Sequence, residues 1–131
     1  MTVSVRYIVN DVDASVDFYT RLLGFERGTQ GGAPGGPSGF ASLTRGDLRL
    51  LINRPGAGGA GQSMPDGRAP QPGGWNRIIV EVDDLDAKVA GIRAAGGAFR
   101  NEIVTGNGGK QILLDDPSGN AIELLEPFAT A

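Results

Sequence analysis

The sequence predicts an α+β fold made of two strand–helix–three-strand (βαβββ) modules. Two features lead to this. The apolar period switches from two residues to about 3.6 and back again, and it does so twice along the chain. One fixed offset of 73 residues also superimposes the second occurrence on the first, taking "VDAS" at 12–15 onto "LDAK" at 85–88, Gly24 onto Gly97 and Gly46 onto Gly119 without a gap. Between the two lies a Gly/Pro-rich stretch, so the modules span 1–53 and 75–131, with a linker or flap at 54–74.

The first module opens with "VSVRYIV", where Val3, Val5, Tyr7 and Val9 alternate with Ser4, Arg6 and Ile8 as in a half-buried strand. In "NDVDASVDFYTRLLGF", Asp11 or Asp13 can cap a helix with Val16, Tyr19, Leu22 and Leu23 on one stripe, and Gly24 ends it. A second strand starts at Phe25 to Arg27, and "GTQGGAPGGPSG" is a loop. "FASLT" and "LRLLIN" follow as strands around the turn "RGD". In the second module "NRIIVEV" is a strand, "DDLDAKVAGIRAAGG" a capped helix, "AFRNEIV" a strand, and "KQILLDD" with "NAIELLEP" a hairpin across "PSGN".

Composition narrows the chemistry. The 131 residues include no cysteine and no histidine, which removes disulfides, thiolate nucleophiles, thiolate zinc sites and every imidazole base or ligand. A formal charge of −3 supplies no basic footprint for nucleic acid and favours a neutral or cationic small molecule. No apolar run reaches the roughly 18 residues of a membrane span, and "MTVSVRYIV" lacks the pattern of a secretory leader, so the expectation is a cytoplasmic protein without membrane contact. Walker loops, serine elbows and dinucleotide fingerprints are also missing from the sequence.

Three segments, "VNDVDASVDFYTRLLGF", "VEVDDLDA" and "DDPSGNAIELLEP", resemble in order and spacing the vicinal oxygen chelate superfamily of glyoxalases, extradiol dioxygenases and bleomycin-resistance proteins. The resemblance implies strands curved into an open, incomplete barrel around a cavity, helices outside, and a homodimer. It also implies one divalent cation held by the first and last strand of each module. Seven residues before Asp11 and Asp84, the helix-opening positions, stand Ser4 and Arg77; the acidic residue after "GN" is Glu123, and the offset carries it back to Leu50.

That set does not make a metal site. Serine is a poor neutral ligand, leucine has no donor atom and arginine stays protonated. A guanidinium ~4 Å from a dication is opposed by about 8 kcal/mol at an effective dielectric near 20. The expectation is therefore no metal and no cofactor, with Arg77 paired to Glu123. By strand parity Ser4, Arg6, Ile8, Leu48, Leu50, Ile52, Arg77, Ile79, Glu81, Ala121, Glu123 and Leu125 should share the inner face, and Trp75 stands beside it to close the cavity or stack on a planar ligand.

The leading function is metal-independent binding of a drug-like or secondary metabolite, of the bleomycin-resistance type. The alternatives are a cofactor-free isomerase or lyase with Glu123 or Glu81 as base and Arg77 or Arg6 as anion stabiliser, a metalloenzyme with a non-standard site, or a scaffold with a filled core.

Overall fold

A computed structural model describes residues 3–32 and 34–129; position 33, inside the loop read from sequence, lies outside them. The described residues form two helices and nine strands in two compact units, Met1–Gly73 and Gly74–Ala131. The Gly/Pro-rich segment, all but its last residue Gly74, thus belongs to the first unit. Among the described residues no helix is long and apolar enough to cross a membrane.

The first unit contains β1 (Ser4–Ile8), α1 (Val12–Leu23), β2 (Glu26–Gly32), β3 (Ser38–Arg45) and β4 (Leu48–Asn53), in sheet order β1-β4-β3-β2. Asp11 caps α1 by accepting from the Ala14 amide at 2.9 Å, and Gly24 closes it in the left-handed region at φ 73°. The helix buries Val12, Val16, Tyr19 and Leu23. The sheet buries Tyr7, Ala41, Leu43, Leu50 and Ile52 on one face. β2 runs further than the sequence loop allowed. Its pairing with β3 shifts register between Arg27 and Gln30 and again between Gly31 and Gly32, so bulges absorb the glycines that read as a loop.

The second unit contains β5 (Arg77–Glu81), α2 (Leu85–Ala94), β6 (Ala98–Phe99), β7 (Val104–Thr105), β8 (Gly109–Asp115) and β9 (Ala121–Pro127). Its sheet runs β5-β9-β8-β6, with β7 also on β8. "AFRNEIV", read as one strand, is two two-residue strands. Between them the Asn101 side chain accepts from the Leu113 amide at 2.9 Å, replacing a ladder bond by a side-chain one. Both sheets are open and mixed, as the two-module α+β reading requires.

The offset of 73 does not survive to the last strand. The Val9 amide donates to Asn53 in the first unit, and its counterpart Val82 donates to Leu125, so 9 maps to 82 but 53 maps to 125. The slip arises before the final hairpin: Thr44 and Arg49 correspond to Asp115 and Ala121, offsets of 71 and 72, so the connection from α2 to β8 is two residues shorter than that from α1 to β3. The hairpin then restores one residue, because Thr44 and Arg49 are separated by four residues and Asp115 and Ala121 by five, in a turn where the Asp116 carboxylate accepts from the Ser118 and Asn120 amides. A one-residue slip moves a side chain to the other face of its strand. Glu123 therefore corresponds to Leu51, which pairs with Arg6, and not to Leu50.

Candidate functional site

In the second unit the residues predicted by parity do share one strand face. β5 and β9 run parallel in the register Arg77↔Ala121, Ile79↔Glu123 and Glu81↔Leu125, so these six residues share one face, opposite Ile78, Val80, Ile122 and Leu124. Ala121 and Glu123 are buried there, Leu125 is half-buried, and Ile79 and Glu81 are exposed.

Arg77 reaches across to Glu123. Its Nε and Nη2 both donate to Glu123 Oε1, at 3.1 and 3.0 Å, and Nη1 donates to the Trp75 carbonyl at 3.3 Å. The carboxylate is buried and the guanidinium about one-third exposed, so the pair is charge-assisted at the carboxylate and solvated on the far side. A base has to be free to take a proton, and Glu123 is held by a fixed cation. Trp75 is 70% exposed, and one ring face carries the Arg100 guanidinium 4.7 Å from its centroid. Arg100 also pairs with Asp115 at 2.5 Å and donates to the Gly74 and Gly119 carbonyls at 2.8 and 2.9 Å, tying the entry to β5 to the β8–β9 turn.

In the first unit the parity expectation fails for three residues. Ser4, Arg6 and Ile8 pair with Arg49, Leu51 and Asn53, which share their face. Leu48, Leu50 and Ile52 point the other way, and Leu50 and Ile52 are wholly buried in the core. The cause is the net slip of one residue between helix and last strand, which turned the last strand by one position relative to the repeat. Ser4 Oγ accepts from Arg49 Nε at 2.8 Å, and Arg6 donates to Asn53 Oδ1.

The corrected positions are Ser4 and Leu51 in the first unit and Arg77 and Glu123 in the second, and neither pair is a cation's donor set. One carboxylate is engaged by a guanidinium, one hydroxyl by another, and Leu51 has no donor. Among the described residues no three acidic side chains gather as a metal-binding group.

Sequence reasoning missed a cavity of about 510 Å³ in the first unit, where the ends of β2, β3 and β4 meet the turn after Asn53. Gly31, Gly32, Phe40, Asn53, Arg54 and Ala57 line it. The turn is built by the Ala57 amide donating to Arg54 and the Gly61 amide donating to Ala57, both at 3.0 Å, and Asn53 Nδ2 donates to the Ala57 carbonyl at 3.4 Å. Gly61 is required at its position, because a Cβ there would stand 2.4 Å from the Arg54 carbonyl. The first residues of the segment read as a flap are thus folded into a wall. Asn53, the one polar residue closing an apolar strand, was the available signal.

A family model described as the Glyoxalase/Bleomycin resistance protein/Dioxygenase superfamily matches residues 3–124. Among solved structures, a member of that superfamily from Sphaerobacter thermophilus is 25% identical, with 96% of each chain covered and a TM-score of 0.74. TnmS3, an antibiotic binding protein from Streptomyces sp. CB03234, is 22% identical, with 97% of this chain and 95% of that one covered and a TM-score of 0.70. A lactoylglutathione lyase from Agrobacterium tumefaciens is 20% identical, with 96% and 92% covered and a TM-score of 0.70. The last two likenesses establish the fold alone. No curated protein sequence matches the chain.

Proposed function

Because the chain belongs to the Glyoxalase/Bleomycin resistance protein/Dioxygenase superfamily, we propose that it is a metal-independent small-molecule binding protein, sequestering a drug-like or secondary metabolite as a cytoplasmic homodimer. The observation that carries this reading is the Arg77–Glu123 pair. At the position where the family resemblance calls for a cation, the carboxylate is bound by a fixed guanidinium. Without a Lewis acid the family's polarisation of a carbonyl or enediolate has no agent. The cofactor-free isomerase or lyase reading needs a desolvated and unneutralised carboxylate, and it is weakened because Glu123 is paired with Arg77 and Glu81 is exposed.

The ~510 Å³ cavity falls within the usual size of small-molecule sites. An antibiotic binding protein among the structural neighbours is consistent with sequestration. The test is calorimetric titration of a panel of aromatic secondary metabolites with and without EDTA, with mass spectrometry of the recovered ligand. Binding should be indifferent to chelation and the ligand recovered unchanged. Turnover, or binding abolished by the chelator, overturns the reading.

A further inference from the structure

The cavity beside Arg54 is asymmetric in its hydrogen-bonding capacity. The Arg54 backbone is satisfied, with its amide donating to the Gly39 carbonyl at 2.9 Å and its carbonyl accepting from the Ala57 amide. Asn53 is engaged at both side-chain atoms, its oxygen accepting from Arg6 and its nitrogen donating one hydrogen bond to the Ala57 carbonyl. Arg54 Nε is different. It is a buried donor with no hydrogen-bond partner among the described residues. Buried donors are almost always satisfied, so an unmatched one beside a cavity points to an acceptor supplied from outside the chain.

The remaining lining has no polar side chain, only glycine backbone, the Phe40 ring and the Ala57 methyl group. Gly31 and Gly32 present bare peptide planes, Phe40 a half-buried ring and Ala57 a methyl group. A side chain at Gly32 would stand 2.6 Å from the Pro37 carbonyl, so that wall stays flat. Arg54 is the one charged residue among those lining the cavity.

We propose that this cavity takes a flat, largely apolar ring bearing a carbonyl, phenolate or carboxylate oxygen, which accepts from the Arg54 guanidinium. This deepens the binding reading above and rests on it. It also reverses the expectation of a cationic guest, which came from the chain's net charge of −3. That charge acts at long range and is screened beyond about 8 Å at physiological salt. An unmatched buried donor acts at contact distance.

The experiment uses three probes with one ring system: 2-naphthoate, 2-naphthylmethylammonium and 2-methylnaphthalene. Each is titrated calorimetrically into the full chain and into Arg54→Met and Arg54→Gln variants, whose folding is checked by circular dichroism. Naphthoate should bind the wild type about tenfold or more tighter than the ammonium probe, as one charge-assisted hydrogen bond allows. Both variants should reduce that preference to within about threefold and leave methylnaphthalene binding unchanged.

Equal or tighter binding of the ammonium probe, or a naphthoate affinity that survives both substitutions, overturns the ligand class while the binding function stands. If none of the three binds the wild type, and a crystal soaked in naphthoate shows no ring beside Phe40, the proposal falls with the sequestration reading for this cavity. Should one variant fail to fold, the other decides.

Discussion

Arg77 donates through Nε and Nη2 to the same oxygen of Glu123, joining the first and last strands of the second unit at the position where the family places a metal ligand. Removing one partner of a buried pair is costlier than removing both, because the survivor keeps its desolvation penalty. Arg77→Met should therefore destabilise the fold by about 2–3 kcal/mol, below the range for a fully buried pair because the guanidinium is partly solvated. Glu123→Gln should cost about 1 kcal/mol, and the Arg77→Met/Glu123→Leu double variant should recover most of the loss. A urea-denaturation double-mutant cycle measures the coupling.

Register in the first unit gives an independent prediction. Leu50 is wholly buried in the core and Leu51 faces the other way beside Arg6. Leu50→Glu should cost more than about 4 kcal/mol or prevent folding, since it buries an unpaired charge. Leu51→Glu should stay within about 1 kcal/mol of wild type. Comparable melting temperatures for the two would contradict the one-residue slip.

Much of the fold was legible because local chemistry and packing agree. Asp11 and Asp84 are placed where side-chain capping starts a helix, and each accepts from the amide three residues on. The alternation in β5 and β9 put Arg77, Ile79, Glu81, Glu123 and Leu125 on one face, where they are. Leu48, Leu50 and Ile52 were misplaced because the glycines at 46 and 119 still align at 73 although the second unit is two residues shorter before its hairpin and one longer within it, and parity amplifies the net single residue into a change of face. The cavity stayed hidden because its walls are glycine peptides and one arginine donor, which carry no periodic signature.

Arg100 is the fastener of the second unit's turn. Arg100→Met should cost about 2–3 kcal/mol, through the lost Asp115 pair and two carbonyls left without their donor. Since Trp75 is the single tryptophan and its ring carries the Arg100 guanidinium, the same variant should change the native fluorescence spectrum before any unfolding. An unchanged spectrum would contradict the stacking.

Lys110 donates to Asp86 at 3.1 Å and lies 3.7 Å from Glu126, whose Oε1 accepts from the Leu85 amide at the start of α2. The Asp86 hydrogen bond and the two acidic charges raise the lysine above its ordinary 10.5, against an opposing desolvation. With the folded value above the unfolded one, the stabilisation is fully present below the unfolded value and is lost as pH rises through the folded one. The stability gap between wild type and Lys110→Met should stay constant from neutral pH to about 9 and close at higher pH. A gap that widens with pH would refute the pairing.

The most direct test is the metal content of the as-purified protein and of its Glu123→Gln variant, by mass spectrometry of the elements. Both should carry nickel, zinc, iron and manganese far below one atom per chain, with no difference between them. A stoichiometric divalent metal in the wild type that disappears on Glu123→Gln would show that the carboxylate serves a cation, and that Arg77 does not stand in its place.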